Sequence, residues 1–454
     1  MSTDPSVLSG GDFFPLTDRG SDETLAFGAD GPVRVSGFVE QAIGLARNLP
    51  DHRYVINLLS DRYQYLLGFC ASALAGQCTL MPPNRLPQTL ERLRNDYPDC
   101  HVLGADGTPI VGSPDASAEA SRDVPLIAAD QLCAIAFTSG STGRPKPNAK
   151  YWRTLRVGSK CNDGLLLNGS TERVNLLATV PPQHMWGMET SILLPLFAPV
   201  AVSHRTPFFP QDIAEALATL PEPRALVSSP VHLEALVKSG VTLPDVSDIF
   251  TATAPLSVAL ARVLEERFNT TVTDVFGCSE TGVLAARRTS HETNWRLSDG
   301  FRMTSGADGT LVHGSHLPAE VMIPDVIELL ADNEFRWLGR HQDMVNIAGK
   351  RGSLAELNQY LTAMPGVKDG VIFMPENGER LAAMVVAPGV SASEIRSYLG
   401  SHIEAVFLPR PIHFVTSLPR QETGKLARKS VLELFERLCR ERGPSGIAAS
   451  GDRE

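Results

Sequence analysis

No two of the seven cysteines are spaced as CxxC: Cys70, Cys78, Cys100, Cys133, Cys161, Cys278 and Cys439 are odd in number and scattered along the chain. That argues against a disulfide framework or a zinc module and fits a reducing, cytoplasmic compartment. Excess positive charge is missing too. The net charge of -10 argues against general nucleic-acid binding, which needs a basic footprint, and leaves open a local basic patch for an anionic cofactor. Long hydrophobic runs are absent. Tyr65–Pro82 is interrupted by Gly68, Ser72 and Gln77, and Ser191–Val202 is short and holds Pro195 and Pro199. Neither reads as a membrane span, and both read as buried core. The opening stretch, MSTDPSVLSGGDFF, has neither the basic nor the apolar region of a signal peptide. A Walker A loop, G-x-x-x-x-G-K-S/T, occurs nowhere.

What is present is an ordinary enzyme composition, 43% hydrophobic and 20% charged over 454 residues. That length suggests roughly three folding units and a large core. Between Leu132 and Phe276 short apolar runs alternate with amphipathic segments. Strands are predicted at Leu132–Thr138, Ala225–Ser229 and Val272–Phe276, and helices at Asp212–Leu220, Val231–Lys238 and Val258–Phe268. Such alternation indicates a sheet with covering helices, hence an α/β fold. After about Arg340 the character changes. A helix over Ser353–Met364 opens with Ser353 and Glu356 spaced as a capping box, and Ser391 with Glu394 opens another. Strand-like runs at Gly370–Met374, Leu381–Val386 and Pro411–Val415 and a final amphipathic helix at Ala427–Arg440 complete a small α+β domain. With the boundary in the polar stretch Gly339–Asp343, residues 1–340 form a large N-terminal domain of mixed sheets, and residues 341–454 a small C-terminal one.

Thr138–Lys146 reads TSGSTGRPK directly after an apolar strand. Glycines at Gly140 and Gly143 let backbone N–H groups converge on an anion, the hydroxyls of Thr138, Ser139, Ser141 and Thr142 add donors, and Lys146 adds charge. A Ser/Gly-rich surface turn is the plain alternative; the place after a buried strand and the closing Pro-Lys favour phosphate. The segment resembles the phosphate loop of the adenylate-forming, AMP-binding superfamily of acyl-CoA synthetases, peptide-synthetase adenylation domains and firefly luciferase, whose pattern is Ser/Thr-Ser/Thr-Gly-Ser/Thr-Thr-Gly-x-Pro-Lys.

Further motifs follow in that family's order. Phe276-Gly277-Cys278-Ser279-Glu280 resembles its aromatic-G-x-S/T-E segment. The resemblance implies Phe276 beside adenine, Ser279 on the α-phosphate, and Glu280, with Thr138, on Mg²⁺, where hard oxygen ligands suit a phosphate-bridging cation. A helix-start carboxylate is the alternative for Glu280. Thr251–Leu256, TATAPL, resembles the family's adenine-binding turn S-G-G-A-P-L, which makes Thr253, Ala254 and Pro255 candidate nucleotide contacts; Ala254 and Pro255 match, and Ala252 and Thr253 stand where the family has glycines. Asp325 matches the aspartate that grips the ribose hydroxyls, and Arg340 an arginine at the same spacing; Ile323-Pro324 replace the usual Thr-Gly. Asp343–Arg351, DMVNIAGKR, resembles the loop opening the small domain, with Gly349 lining the thiol tunnel and Gln342 where the hinge residue stands. Leu418–Arg428, LPRQETGKLAR, carries Lys425 at the position of the adenylation lysine.

The resemblance therefore implies ATP and Mg²⁺ as cofactors and a mobile small domain that swings Lys425 away once acyl-AMP has formed. Pro181–Thr190, PPQHMWGMET, resembles the acyl-pocket segment. His184, Trp186 and Gly187 are its candidate substrate residues, with His184 also a candidate catalytic group; a His or Trp in an apolar stretch is equally consistent with core. Trp295 is another candidate wall. The early phosphate loop makes the chain compact, and it resembles the aryl-polyene and xanthomonadin pigment ligases, which load a hydroxybenzoate onto an acyl carrier protein. A CoA ligase of the same chemistry and a non-catalytic acyl-adenylate-binding protein are the alternatives, with no nucleic-acid partner and no membrane span.

Overall fold

The computed structural model describes residues 12–104, 123–138, 146–306, 309–331, 333–340, 343–347, 350–376, 378, 380–420 and 426–442. They fall into two compact units, one drawn from residues 1–304, 311–321 and 330–335, the other from 305–310, 322–329 and 336–454.

In the first unit the expected α/β architecture is present, built mainly on two large sheets. The five-stranded one runs in the order Cys100–Leu103, Tyr54–Asn57, Cys78–Met81, Leu132–Thr138, Lys146–Tyr151. Its first four strands are parallel and the last pairs back antiparallel. The longer sheet runs from Trp295–Leu297 through Gly282–Arg287, Thr271–Cys278, Asp248–Thr251, Arg224–Ser228, Val174–Ala178 and Val200–Ser203 to Thr24–Gly28 and Gly31–Arg34. Its centre is parallel, in the register Leu176↔Ala225, Leu177↔Leu226 and Ala178↔Val227. All six of these side chains are fully buried, which is why the strands read as continuous apolar runs, not alternating ones.

The helices start and stop where local chemistry dictates. Val258–Phe268 forms as predicted; the Ser257 Oγ accepts from the Leu260 N–H at 3.1 Å, and Asn269 ends it at φ 47°. Pro230 opens the helix Pro230–Ser239 and Gly240, at φ 78°, closes it. The run read as core at Tyr65–Pro82 is the buried helix Arg62–Leu74, capped by Asp61, followed by the strand Cys78–Met81. No helix among the described residues is long and apolar enough to cross a membrane.

The second unit is smaller and α+β. Asp369–Phe373, Ala382–Val386 and Ile412–Phe414 form a three-stranded sheet, with helices at Leu354–Ala363, Ala392–Gly400 and Arg428–Arg442. At Ser391 the capping box closes both ways with Glu394; at Ser353 the Oγ accepts from the Glu356 N–H. A hairpin, Met344–Ile347 with Lys350–Ser353, precedes the first of these helices.

Candidate functional site

In the longer sheet the chain steps from Val174–Ala178 to its neighbour Val200–Ser203 on one side, then returns to Arg224–Ser228 on the other. Such a reversal opens a crevice beyond the carboxyl ends of the strands, the usual ligand position in parallel sheets. The acyl-pocket motif leaves from this point. Thr179, the first residue after the strand, shares a hydrogen bond with Ser228 (Oγ1 to Oγ 2.8 Å), and the chain then reaches the short helix Met185–Met188. His184 stands at the residue just before that helix, its side chain making no capping hydrogen bond, and is half-buried. Trp186 lies in the hydrophobic core and donates its indole N–H to the Ser228 carbonyl at 3.2 Å. At Gly187 a Cβ would stand 2.1 Å from the Pro181 carbonyl oxygen, so the helix is pressed onto the Pro181-Pro182 backbone and admits only glycine.

The next parallel strands deliver the next two motifs to the same edge. Asp248–Thr251 leads into Ala252-Thr253-Ala254-Pro255, where exposed Thr253 has φ 81°. The glycine-like backbone of this turn is thus kept although its residue is β-branched. Thr271–Cys278 then runs into a hairpin turn, Ser279–Thr281, and returns as Gly282–Arg287. Glu280 therefore starts no helix; it sits in a tight turn, partly exposed beside Ser279. Phe276 packs against Trp295 and Phe335, with centroids 5.5 and 5.6 Å away, so Trp295 braces the proposed adenine contact. Gly277 is exposed and its Cα lies where a Cβ would meet the Gly282 oxygen at 2.4 Å. Cys278 faces Thr281 (Sγ to Oγ1 3.2 Å), and burial pushes its thiol up to about 11.

Two charged residues that the motifs did not flag lie beneath this turn. Lys150, buried in the strand leaving the phosphate loop, donates from Nζ to the Glu280 carbonyl at 3.0 Å. Glu189, buried in a π-helical turn that continues the Met185–Met188 helix, accepts from the Val283 N–H at 2.9 Å and from the Asn162 amide at 3.5 Å. Desolvation lowers the Lys150 pKa and raises that of Glu189, and each charge moderates the other's shift. A lone carboxylate in the apolar run MWGMETSILL was the available signal for Glu189. Nearby His316 is buried and held neutral, its pKa pushed down to about 4 by burial and by Lys150.

Thr138 ends its strand and Lys146, exposed, begins the next one. Ser139, Gly140, Ser141, Thr142 and Gly143 between them lie outside the described residues, as do Gln342, Gly349 and Lys425. In the second unit the buried Asp325 carboxylate accepts from the Trp337 indole at 2.8 Å and faces the Arg340 guanidinium at 3.8 Å. Burial raises the pKa of Asp343 against the pull of Arg340 and Arg428.

The donor chemistry fits a magnesium nucleotide. Ser279 and Glu280 offer hard oxygens on a solvent-reaching turn, the type of ligand a phosphate-bound cation takes. Among the described residues no cluster of three or more His, Cys, Asp or Glu could hold a metal ion.

The AMP-binding enzyme family matches residues 70–310, and the AMP-binding enzyme C-terminal domain matches residues 356–425. A 3,4-dihydroxybenzoate–aryl-carrier-protein ligase of Bacillus anthracis is 23% identical over 322 residues, spanning 68% of this chain and 75% of that one. A 4-coumarate–CoA ligase of Rhodobacter capsulatus is 28% identical over 298 residues, spanning 64% and 74%. Among solved structures, ATP-bound MatB from Rhodopseudomonas palustris superposes with a TM-score of 0.78 at 19% identity, covering 93% of this chain and 98% of that one; at that identity the likeness speaks for the fold.

Proposed function

Because the chain belongs to the AMP-binding enzyme family, we propose that this ATP-using acid ligase activates a small aromatic acid, such as a hydroxybenzoate, and passes it to the phosphopantetheine thiol of an acyl carrier protein. One observation carries the reading: the acyl-pocket, adenine and carboxylate motifs leave the carboxyl ends of parallel strands along one edge, from the switch point outward.

A carboxylate attacking the α-phosphorus of ATP must overcome anion–anion repulsion. Backbone donors and hydroxyls of Thr138, Ser139, Gly140, Ser141, Thr142 and Gly143, with Lys146, hold the departing phosphates. Phe276 and the Thr253-Ala254-Pro255 turn flank adenine, Gly277 and Cys278 shape the approach, and Asp325 with Arg340 takes the ribose. Ser279 contacts the α-phosphate, and Glu280, with Thr138, would hold Mg²⁺, which would supply neutralising charge to the phosphates. Lys425 brings a cation to the pentacoordinate phosphorus. His184, Trp186 and Gly187 shape the acid pocket, the half-buried His184 orienting the acid. Rotation of the domain after residue 340 then replaces Lys425 by the Gly349 passage for the thiol.

The CoA-ligase reading is favoured by one specific finding, the relatives named 4-coumarate–CoA ligase. Pyrophosphate release with a panel of benzoates and fatty acids, followed by transfer to a carrier protein or to CoA, tests both. A benzoate as best acid and a carrier protein as best acceptor is expected. A long-chain acid as best substrate overturns the aromatic assignment, and a much larger kcat/KM with CoA overturns the carrier assignment.

A further inference from the structure

Buried lysines are rare, because removing an ammonium from water is costly unless something requires its position. Lys150 is 2% exposed, on a strand whose backbone is fixed by pairing Lys150 opposite Ala134. Its ammonium reaches across 130 residues of sequence to a backbone carbonyl, that of Glu280. Three residues on, the Val283 N–H is held by the Glu189 carboxylate, and Gly282, at φ 79°, is so close that a Cβ there would stand 2.4 Å from Glu189 Oε1. The turn bearing Ser279 and Glu280 is thus gripped on its two sides by side chains of opposite charge. One comes from the strand that leaves the phosphate loop, the other from the helix that carries the acyl-pocket motif.

We propose that Lys150 is a positioning residue for the Glu280 turn, with Glu189 holding the returning strand of the same hairpin, and that the two together set how firmly Glu280 presents its carboxylate to the nucleotide-bound metal. This rests on the reading of Glu280 as the metal carboxylate. Charge-assisted hydrogen bonds are short and directional and hold a carbonyl more firmly than a neutral donor does. Buried charges add little to fold stability over apolar replacements, so stability alone does not account for Lys150 and Glu189 beneath this turn. The family motifs assign no role to either position.

The test uses Lys150→Met combined with Glu189→Gln. It removes both charges together, so no ion is stranded in the interior, and the glutamine amide keeps an acceptor for the Val283 N–H. ATP affinity is measured calorimetrically with Mg²⁺ and with EDTA, alongside the melting temperature and ATP–pyrophosphate exchange. The expected result is a near-native melting temperature and near-native affinity in EDTA, with the gain conferred by Mg²⁺ reduced about tenfold or more, as for a lost supporting contact to a metal ligand. A native metal-dependent gain in the folded double variant overturns the proposal. Glu280→Gln separates the two assignments. If it loses the gain while the double variant keeps it, only the role of Lys150 fails; if it keeps the gain, the metal role of Glu280 fails and the proposal with it. Should the methionine variant not fold, Lys150→Gln with Glu189→Gln is read against the same outcomes, its amide being too short to reach the carbonyl.

Discussion

Replacing Thr253 by glycine should make the protein more stable. Thr253 stands at φ 81° in the turn after Asp248–Thr251, in a left-handed conformation that its branched Cβ opposes. For an L-residue that conformation costs about 1–2 kcal/mol. Thr253 is exposed, so glycine leaves no cavity and the strain is simply released. Against this, glycine enlarges the freedom of the unfolded chain, at about 0.4–1 kcal/mol. The balance is a gain of about 0.5–1 kcal/mol, read as a rise in the urea midpoint at unchanged slope. Alanine, unbranched but still left-handed, should fall between threonine and glycine. Valine, equally branched and lacking the hydroxyl, should be no more stable than threonine. A lower midpoint for Thr253→Gly, with Thr253→Val lower still, would refute the strain argument and make the threonine hydroxyl the stabilising element.

Three further outcomes follow from the same geometry. Gly187→Ala should destabilise by about 2–3 kcal/mol, since its Cβ meets fixed backbone at 2.1 Å; Gly158→Ala, in open space within the helix Trp152–Leu166, should instead stabilise by about 0.5–1 kcal/mol. Melting curves decide both, and equal effects would sink the argument. Asp274 is buried, and desolvation outweighs the Arg287 guanidinium 3.4 Å away, raising its pKa from 3.8 to about 7. The folded state therefore holds a proton that the unfolded state releases, a stabilisation fully present below pH 3.8 and lost as pH rises to about 7. The gap is on the order of 4 kcal/mol at about 1.4 kcal/mol per pH unit, and Asp274→Asn should abolish that decline in a stability–pH profile. Finally, Lys425→Ala should abolish acyl-AMP formation while sparing thioester formation from supplied acyl-AMP, and Gly349→Trp should do the reverse; joint loss of both half-reactions in a folded variant would remove the rotating-domain mechanism.

The parts of the fold legible in the sequence were those fixed locally. Val258–Phe268 and Leu132–Thr138 form where periodicity placed them. The helix expected at Asp212–Leu220 spans Pro210–Ala218, because Pro210 serves as its first residue and periodicity alone does not register that. The strand expected to end at Phe276 continues to Cys278 because it pairs with Gly282–Arg287, a partner only the hairpin reveals. Within the site the motifs located the turns, and the departure at Thr253 left its backbone glycine-like all the same. Lys150 was not legible: a lysine in a strand reads as solvated surface, and its burial depends on a carbonyl 130 residues away.

Glu189 also changes what counts as an exchangeable piece of this enzyme. Redesign of acid preference by grafting residues 181–190 from a relative would treat that stretch as a cassette. Its carboxylate, however, holds the Val283 N–H and crowds Gly282. A donor without that carboxylate would strand the amide, and one with a bulkier side chain would collide with the hairpin. The transferable block is therefore discontinuous, residues 181–190 together with 278–283, and crossovers drawn between those two stretches should yield recombinants that bind nucleotide poorly whatever acid they were designed to accept.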